Sequence, residues 1–529
     1  MIFTIRPTQP PGEKRMQKSV IATTLLSALA ISVPAMAETE YRISEDPLEL
    51  TIHMHAKQYP GYQEDWPVEI EARRLTGIHM IDKTSGKNTE DSREAMNLLL
   101  ATGDIPNIVG GGKVKEFVDQ FGPEGAFIPL NDLIDEHAPN IKAFFDKYPD
   151  RRSAATSADG NLYYIPYLPD GKYGRAYFMR QDWLAALDME APQSVEELHK
   201  VLTAFRNNDP NGNGKKDEVP FFARQWQEVL RLVTLWDGRS SGSDSYHDFY
   251  VGDGKILHGY AGEGYREGIK NIAQWYSEGL IDAEIFTRGS SSREFLLSEN
   301  LGGMTHDWFA STSSYNVSLK EKVPGFTFKA FPPPASISGV RMEEHRRIPV
   351  KPDGWAIGHT NEHPVETIKY FDFWFTEKGR NLQNFGVEGQ TWTMVDGKPK
   401  FTDEVLTSGK PVNSQLYAVG AQIQRGYFQD YEYERQWSNA IALEGIALYD
   451  EGDYLIDQFL GVAMNADEQK VFDKYWASIR TYMLERQQAW ILGTGDIEAE
   501  WDDYIATLKK MGYDDVIEVM QAAYDRQYG

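Results

Sequence analysis

The sequence predicts an α/β protein of two lobes that exchange strands, closed by a helical tail. Three observations carry this reading. Residues 48–55 (LELTIHMH) alternate as a strand, 88–102 read as a helix, and 105–112 (IPNIVGGG) form a short apolar strand. Strand, helix and strand in succession point to a largely parallel sheet with crossover helices. The chain has 529 residues, which at ~100–200 residues per domain allows two or three domains or two large lobes. From Ala466 to the end the pattern is amphipathic helix, including 498–510 and 513–528.

The elements follow in order. Lys14, Arg15 and Lys18 precede an apolar run over 19–35 that ends Ala35-Met36-Ala37. A basic start, an apolar run and a small-x-small end describe a signal peptide over 1–37, with Met16 an alternative start. The run is too short for a membrane anchor, and no later window approaches the ~18 apolar residues that a span needs. The helix over 88–102 stops at Gly103, and 162–167 (LYYIPY) is another β-like run. Ser194-Val-Glu-Glu197 has the spacing of a capping box. Helical periodicity returns at 269–279 and 364–375, and Phe331-Pro-Pro-Pro-Ala335 is a stiff connector expected at a crossing between lobes. The lobes are expected as 47–168 with 330–428 (N-lobe) and 169–329 with 429–529 (C-lobe).

Composition narrows the partners. There are 54 Lys+Arg against 79 Asp+Glu, a net charge of −25. Removing 1–37 takes away four basic residues and Glu13, giving 50 minus 78, or −28. Such a charge argues against nucleic acid and against an anionic membrane surface, while a local basic pocket can still take a small anion. With no cysteine there is no disulfide, thiolate zinc site, cysteine nucleophile or lipoprotein anchor. A free, soluble protein exported to the periplasm is expected, and a monomer.

The sharpest local motif is Asp209-Pro-Asn211-Gly-Asn213-Gly214-Lys215-Lys-Asp217-Glu218. Oxygen-bearing side chains at loop positions one, three, five and nine, with glycine at six, match an EF-hand calcium loop. Lys215 would give only its carbonyl. Position twelve is Pro220 instead of the usual Glu, so Glu218 has to close the shell. This predicts a lone structural Ca2+ site.

Thirteen Trp and 28 Tyr offer flat apolar faces. Several stand beside hydrogen-bonding groups, at Tyr167-Leu-Pro-Asp170, His306-Asp307-Trp308-Phe309, Asp353-Gly354-Trp355 and Tyr431–Trp437. Sugars are met by such pairs of aromatic and polar side chains, although each alone is more often packing. Lys57, Lys113, Lys172 and Arg175 could pair with a carboxylated sugar. Catalytic patterns are thin, with no nucleophile elbow, HExxH, phosphate loop or dinucleotide fingerprint. His53 and His55 share a strand face as candidate zinc ligands or a lyase base, but no third ligand stands at useful spacing.

These features together resemble the family 1 extracellular solute-binding proteins, and more closely the periplasmic alginate-binding proteins that feed an ABC-type importer. The resemblance lies in Ile52-His-Met-His55, Glu124–Leu130, Asp209–Glu218, Arg239–Asp244, Thr305–Ser311, Asp430–Trp437 and the tail from Trp501 to Tyr528. It implies a type II periplasmic binding protein fold, with a cleft between the lobes that closes on an alginate oligosaccharide and presents it to the membrane permease. It also implies no enzymatic activity, aromatic stacking by Tyr167, Trp308, Tyr433 and Trp437, and roles for Glu434 and for Arg175 as a carboxylate partner. The calcium set it implies is Asp209, Asn211, Asn213, Lys215, Asp217 and Glu218. The alternatives are a receptor for another acidic or neutral oligosaccharide, or a uronate lyase or glycosidase using His53, His55 or a Tyr.

Overall fold

The computed structural model describes residues 40–55, 61–86, 88–240, 249–456 and 458–529. The expected signal peptide and Lys57 lie outside the described residues. The chain divides into Met1–Tyr41 and Arg42–Gly529, and every element below belongs to the larger unit.

In chain order the strands of the two main sheets are β1 (Leu48–Met54), β2 (Ile78–Asp82), β3 (Ile108–Gly111), β4 (Tyr164–Pro169), β5 (Arg175–Arg180), β6 (Val219–Phe221), β7 (Gly302–Trp308), β8 (Phe328–Phe331), β9 (Gly354–Ile357) and β10 (Tyr427–Gln429). The first sheet runs β10-β4-β9-β3-β1-β2 and the second β8-β5-β7-β6. In the first, β1 lies parallel to β2 and β3, β10 parallel to β4, and β9 alone opposes its neighbours. In the second, β5 opposes β8 and β7 while β6 runs parallel to β7. Each sheet thus has one reversed strand, which leaves most pairings of the first sheet parallel and most of the second antiparallel.

Local chemistry explains the elements. In β1, Leu50, Ile52, His53 and Met54 are all buried, because helices cover both faces of a parallel sheet. Asn88 caps the helix Thr89–Thr102 by accepting from the Asp91 amide, and Gly103 ends it with φ of 73°, a left-handed conformation that glycine tolerates. β3 starts only at Ile108, since Pro106 has no amide to give a ladder. Ser194 accepts from the Glu197 amide at 3.3 Å, but the Glu197 carboxylate reaches back to the amide of Gln193 at 2.8 Å, one residue before the expected capping-box partner.

The proline connector differs from expectation. Ala335 exchanges backbone hydrogen bonds with Gln193 and Val195 at 2.9 and 3.1 Å, so residues 332–335 stay on the second lobe. The return to the first sheet comes later, before Gly354. The expected boundary between 329 and 330 falls inside β8, which pairs with β5 from Phe328 to Phe331. Proline content reveals stiffness, whereas the strand a neighbouring segment joins is set by distant partners.

Alternation along β5 places the second core on both sides of its sheet. Tyr177 and Met179 face one cluster with Trp236, Trp275 and the tail residues Trp490 and Trp501. Ala176 and Phe178 face another with Phe309, Phe328 and Tyr449. The tail helices Ala466–Ile491, Ile497–Lys510 and Tyr513–Tyr528 therefore belong to the second lobe's packing. The chain crosses between sheets after β4, after β8 and after β10, and the crossings gather the site. No helix of the described residues is long and apolar enough to cross a membrane.

Candidate functional site

A cavity of about 440 Å3 opens where β4 and β10 of the first sheet face β5 and β7 of the second. Tyr167 and Gln429 enter from the first sheet, and Arg175 and Trp308 from the second. The loop 345–351 crosses between them and supplies His345, Arg346, Arg347 and Lys351. Tyr417 and Tyr433 complete the aromatic wall. Among the described residues the wall carries four permanently cationic side chains and no carboxylate.

Register explains the floor. Arg175 and Trp308 are paired residues of β5 and β7, so their side chains share a face, and the guanidinium lies 4.2 Å from the centre of the Trp308 ring. Gly174 makes this possible, because a Cβ there would meet the ring at 2.9 Å. Arg175 is 1% exposed and donates to Glu228 Oε1 at 3.2 Å. Glu228 also accepts from Arg224 at 2.8 Å and Arg231 at 3.2 Å. Burial pushes the Glu228 carboxyl up, but Arg231, Arg175 and Arg224 together outweigh it and hold it at about 2. Arg175 is thus charge-compensated by the protein from below while Trp308 covers it.

On the opposite wall, Tyr167 stacks on Tyr427 with centres 5.0 Å apart and planes at 11°, a consequence of their register in β4 and β10. Glu434 is buried and ion-paired with Arg347, which also donates to the Asp170 carbonyl at 3.1 Å. Burial lowers the affinity of Arg347 for its proton, yet the Glu434 carboxylate reverses this and raises its pKa. Burial, with Arg231 next, drives the pKa of His345 well down, so it is neutral at pH 7.

Of the residues expected at the site, Tyr167, Arg175, Trp308 and Tyr433 line one cavity. Glu434 stands behind it as the anchor of Arg347. Trp437 follows Tyr433 by one helical turn, rings 6.4 Å apart, but is not in this wall. Its indole N–H is buried with no hydrogen-bond partner. Trp355 is core, fully buried and stacked on Phe371 at 4.2 Å. Lys113 pairs with Glu116 at 3.5 Å and Lys172 with Asp450 at 3.9 Å, and neither lines the cavity. Arg346, Arg347 and Lys351 were missed. The basic tripeptide His345-Arg346-Arg347 was the available signal.

His53 is fixed by its neighbours. Its Nδ1 accepts from the Ser85 amide at 3.4 Å, which leaves Nε2–H to face the Ser92 carbonyl and hydroxyl at 3.1 Å. With His55 it lines a cavity of about 20 Å3, enough for roughly one water and far too small for a sugar.

The loop 209–218 passes a fit test for a cation. Asp209 accepts from the Asn213 and Gly214 amides at 3.0 and 2.8 Å, and Asn213 Oδ1 from the Lys215 amide at 2.7 Å. These bonds curl the loop around the Asp209 carboxylate. Glu218 is 2% exposed, and both its carboxylate oxygens are buried without a hydrogen-bond donor. Burial, then Asp209 and Asp217, raise its pKa. A buried carboxylate beside two more is costly without a counter-charge, and Ca2+ with its preference for oxygen ligands supplies one. A second group, His306, Glu343 and His345, has ligand atoms within 4.8 Å of one another. Here Glu343 accepts from His306 Nε2 at 2.9 Å and the His345 amide at 2.7 Å, while the Arg231 guanidinium lies 3.4 Å from His306 Nδ1. A metal-bound histidine gives its other N–H to an acceptor, and a guanidinium is a donor, so this reads as a hydrogen-bonded network.

Comparison with known proteins follows the same lines. The sequence profile described as bacterial extracellular solute-binding protein matches residues 77–385. The structure resembles that of alginate-binding protein AlgQ2, solved without calcium ion, with 48% identity, a TM-score of 0.81, and coverage of 92% of this chain and 99% of that one. The fructooligosaccharide ABC transporter substrate-binding protein FusA of Streptococcus pneumoniae serotype 4 is 27% identical over 479 residues, 85% of each chain. An EF-hand mutant of FusA in complex with fructo-nystose shares the fold, with a TM-score of 0.69 at 22% identity over 90% of this chain and 99% of that one.

Proposed function

Because the chain belongs to the bacterial extracellular solute-binding protein family, we propose that it is the periplasmic receptor of an ABC importer that captures alginate oligosaccharides between its lobes and hands them to the permease. One observation carries the choice of ligand. In a chain of net charge −25, the cleft wall has Arg175, Arg346, Arg347 and Lys351, aromatic faces at Tyr167, Trp308, Tyr417 and Tyr433, and no carboxylate among the described residues. An acidic sugar chain presents what such a wall recognises, an apolar ring face with a carboxylate on its edge. The resemblance to alginate-binding AlgQ2 supports alginate over other uronates.

The mechanism is closure. Tyr167 and Lys351 belong to the first sheet's side and Arg175 and Trp308 to the second's, so a ligand touching both gains contacts only when the lobes approach. That differential affinity shifts the population toward the closed state. Asp209, Asn211, Asn213, the Lys215 carbonyl, Asp217 and Glu218 hold a structural Ca2+ in this reading. Bound there, the ion neutralises the buried Glu218 and ties the loop together. The residues themselves orient the loop against the second sheet, since Asn211 donates to the Asn300 carbonyl at 3.1 Å, two residues before β7. The EF-hand of FusA is a family precedent, and the AlgQ2 structure is described as one without calcium ion.

The test is a fluorescence titration of the mature protein with alginate oligosaccharides, with maltodextrin and oligogalacturonate as controls. Saturable quenching by alginate alone is expected, because Trp308 lines the cleft. A response to maltodextrin instead would refute the acidic-ligand reading, and a response to oligogalacturonate alone would reassign the uronate.

A further inference from the structure

Beyond Arg346 lies a second cavity of about 490 Å3, within the ~300–1,000 Å3 typical of small-molecule sites. Arg346 is common to the walls of both cavities. The others that matter are Tyr148 and Arg151 from the first lobe, and Phe459, Tyr524 and Tyr528 from the second lobe's packing. Tyr524 and Tyr528 are neighbours one turn apart on the last helix, centres 5.3 Å apart, and Phe459 lies 6.4 Å from Tyr524. The helix end is tied across to the first lobe, where Gln527 donates to the Ser153 carbonyl at 2.8 Å.

The two arginines are the reason to read this as a site. Arg151 Nη1 and Arg346 Nε are buried and have no hydrogen-bond partner. Arg151 rests on the Tyr148 ring at 4.1 Å, which holds the guanidinium in place without using its N–H groups. Burial lowers its pKa against the opposing pull of Tyr148, Asp150 and Asp170, and Arg346 adds a little to the lowering. Asp150 and Asp170 lie near enough to act on Arg151, but no carboxylate is bonded to these idle donors, and a carboxylate accepts from such donors with strong charge-assisted bonds. Asp150 is the acidic residue in this wall, but its side chain is exposed. Aromatic faces beside paired arginines repeat the chemistry of the first cleft.

We propose that this cavity is an outer carbohydrate subsite, taking a uronate ring of the same chain whose other end fills the cleft, with its carboxylate on Arg151 and Arg346 and its ring on the tyrosines. This deepens the reading of the cleft and rests on it. A chain long enough to pass Arg346 would touch both lobes twice, so longer oligosaccharides hold the closed state better than short ones.

The experiment is calorimetric titration of the mature, calcium-loaded protein and of its Arg151→Met and Tyr528→Ala variants with alginate oligosaccharides graded from short to long. In the wild type, affinity rises again once the chain is long enough to leave the first cleft. Arg151→Met weakens long chains by about tenfold to a hundredfold, the range for one charge-assisted hydrogen bond, and leaves short ones unchanged. Tyr528→Ala gives the same pattern more weakly. Equal loss for short and long chains, or no loss for long chains in both variants, overturns the subsite and leaves the cleft standing. Absence of binding at every length by the wild type overturns both.

Discussion

Glu228→Gln removes the carboxylate that accepts from Arg175, Arg224 and Arg231 beneath the cleft. The three guanidiniums hold Glu228 at about 2 against an ordinary 4.5, and each tenfold change in proton affinity is worth ~1.4 kcal/mol. The ionised carboxylate therefore contributes ~3 kcal/mol at neutral pH, in line with the ~3–5 kcal/mol lost when one partner of a buried ion pair is deleted. The sign follows from a depressed pKa. The contribution is present above pH 4.5 and is lost as pH falls toward 2. Urea unfolding of wild type and variant at a series of pH values checks this. The wild type should be the more stable by ~3 kcal/mol at pH 7, with the gap closing steadily below pH 4.5. A gap that stays constant down to pH 2.5 would mean that the glutamate acts by packing, and the charge argument would fail.

Two further outcomes are expected. Trp308→Ala should weaken alginate binding by about 1–3 kcal/mol, and Trp437→Ala, whose indole stands behind Tyr433, should weaken it less; unchanged affinity in Trp308→Ala would remove stacking from the account. Chelating calcium should lower the melting temperature by about 3 °C, taking ~2.7 kcal/mol of linkage at a hundredfold ligand excess and an unfolding entropy near 1 kcal/mol per kelvin for a unit of this size. Affinity for the sugar should fall much less, since the loop is built on the far end of the second sheet from Trp308, and the reverse order of effects would place the ion at the ligand.

Much of the architecture was readable from the residues alone. Alternation in 48–55, the Asn88 and Gly103 boundaries and the tail periodicity depend on near neighbours, so helix 513–528 and strand β1 stand where the pattern places them. The proposed calcium motif is legible for the same reason, its oxygen-bearing residues lying within ten positions of one another. Motifs such as Thr305–Ser311 and Asp430–Trp437 carry the family resemblance without reference to the fold.

The cleft was less legible, because its members come from four separate stretches of chain. Resemblance to the family brought out Tyr167, Arg175, Trp308 and Tyr433, but could not say that Arg175 is matched by Glu228 or that Glu434 is spent on Arg347. Those pairings depend on the segment Trp226–Trp236 packing beneath β5 and on a crossing loop that lands between the sheets. The sequence determined the elements and the acidic balance, and it carries the patterns read as an export signal and an ion loop, since each is legible without tertiary contacts. Only the tertiary structure decided which positive charges are matched and which face the cavity, because burial and ion pairing are set by groups brought together from distant parts of the chain.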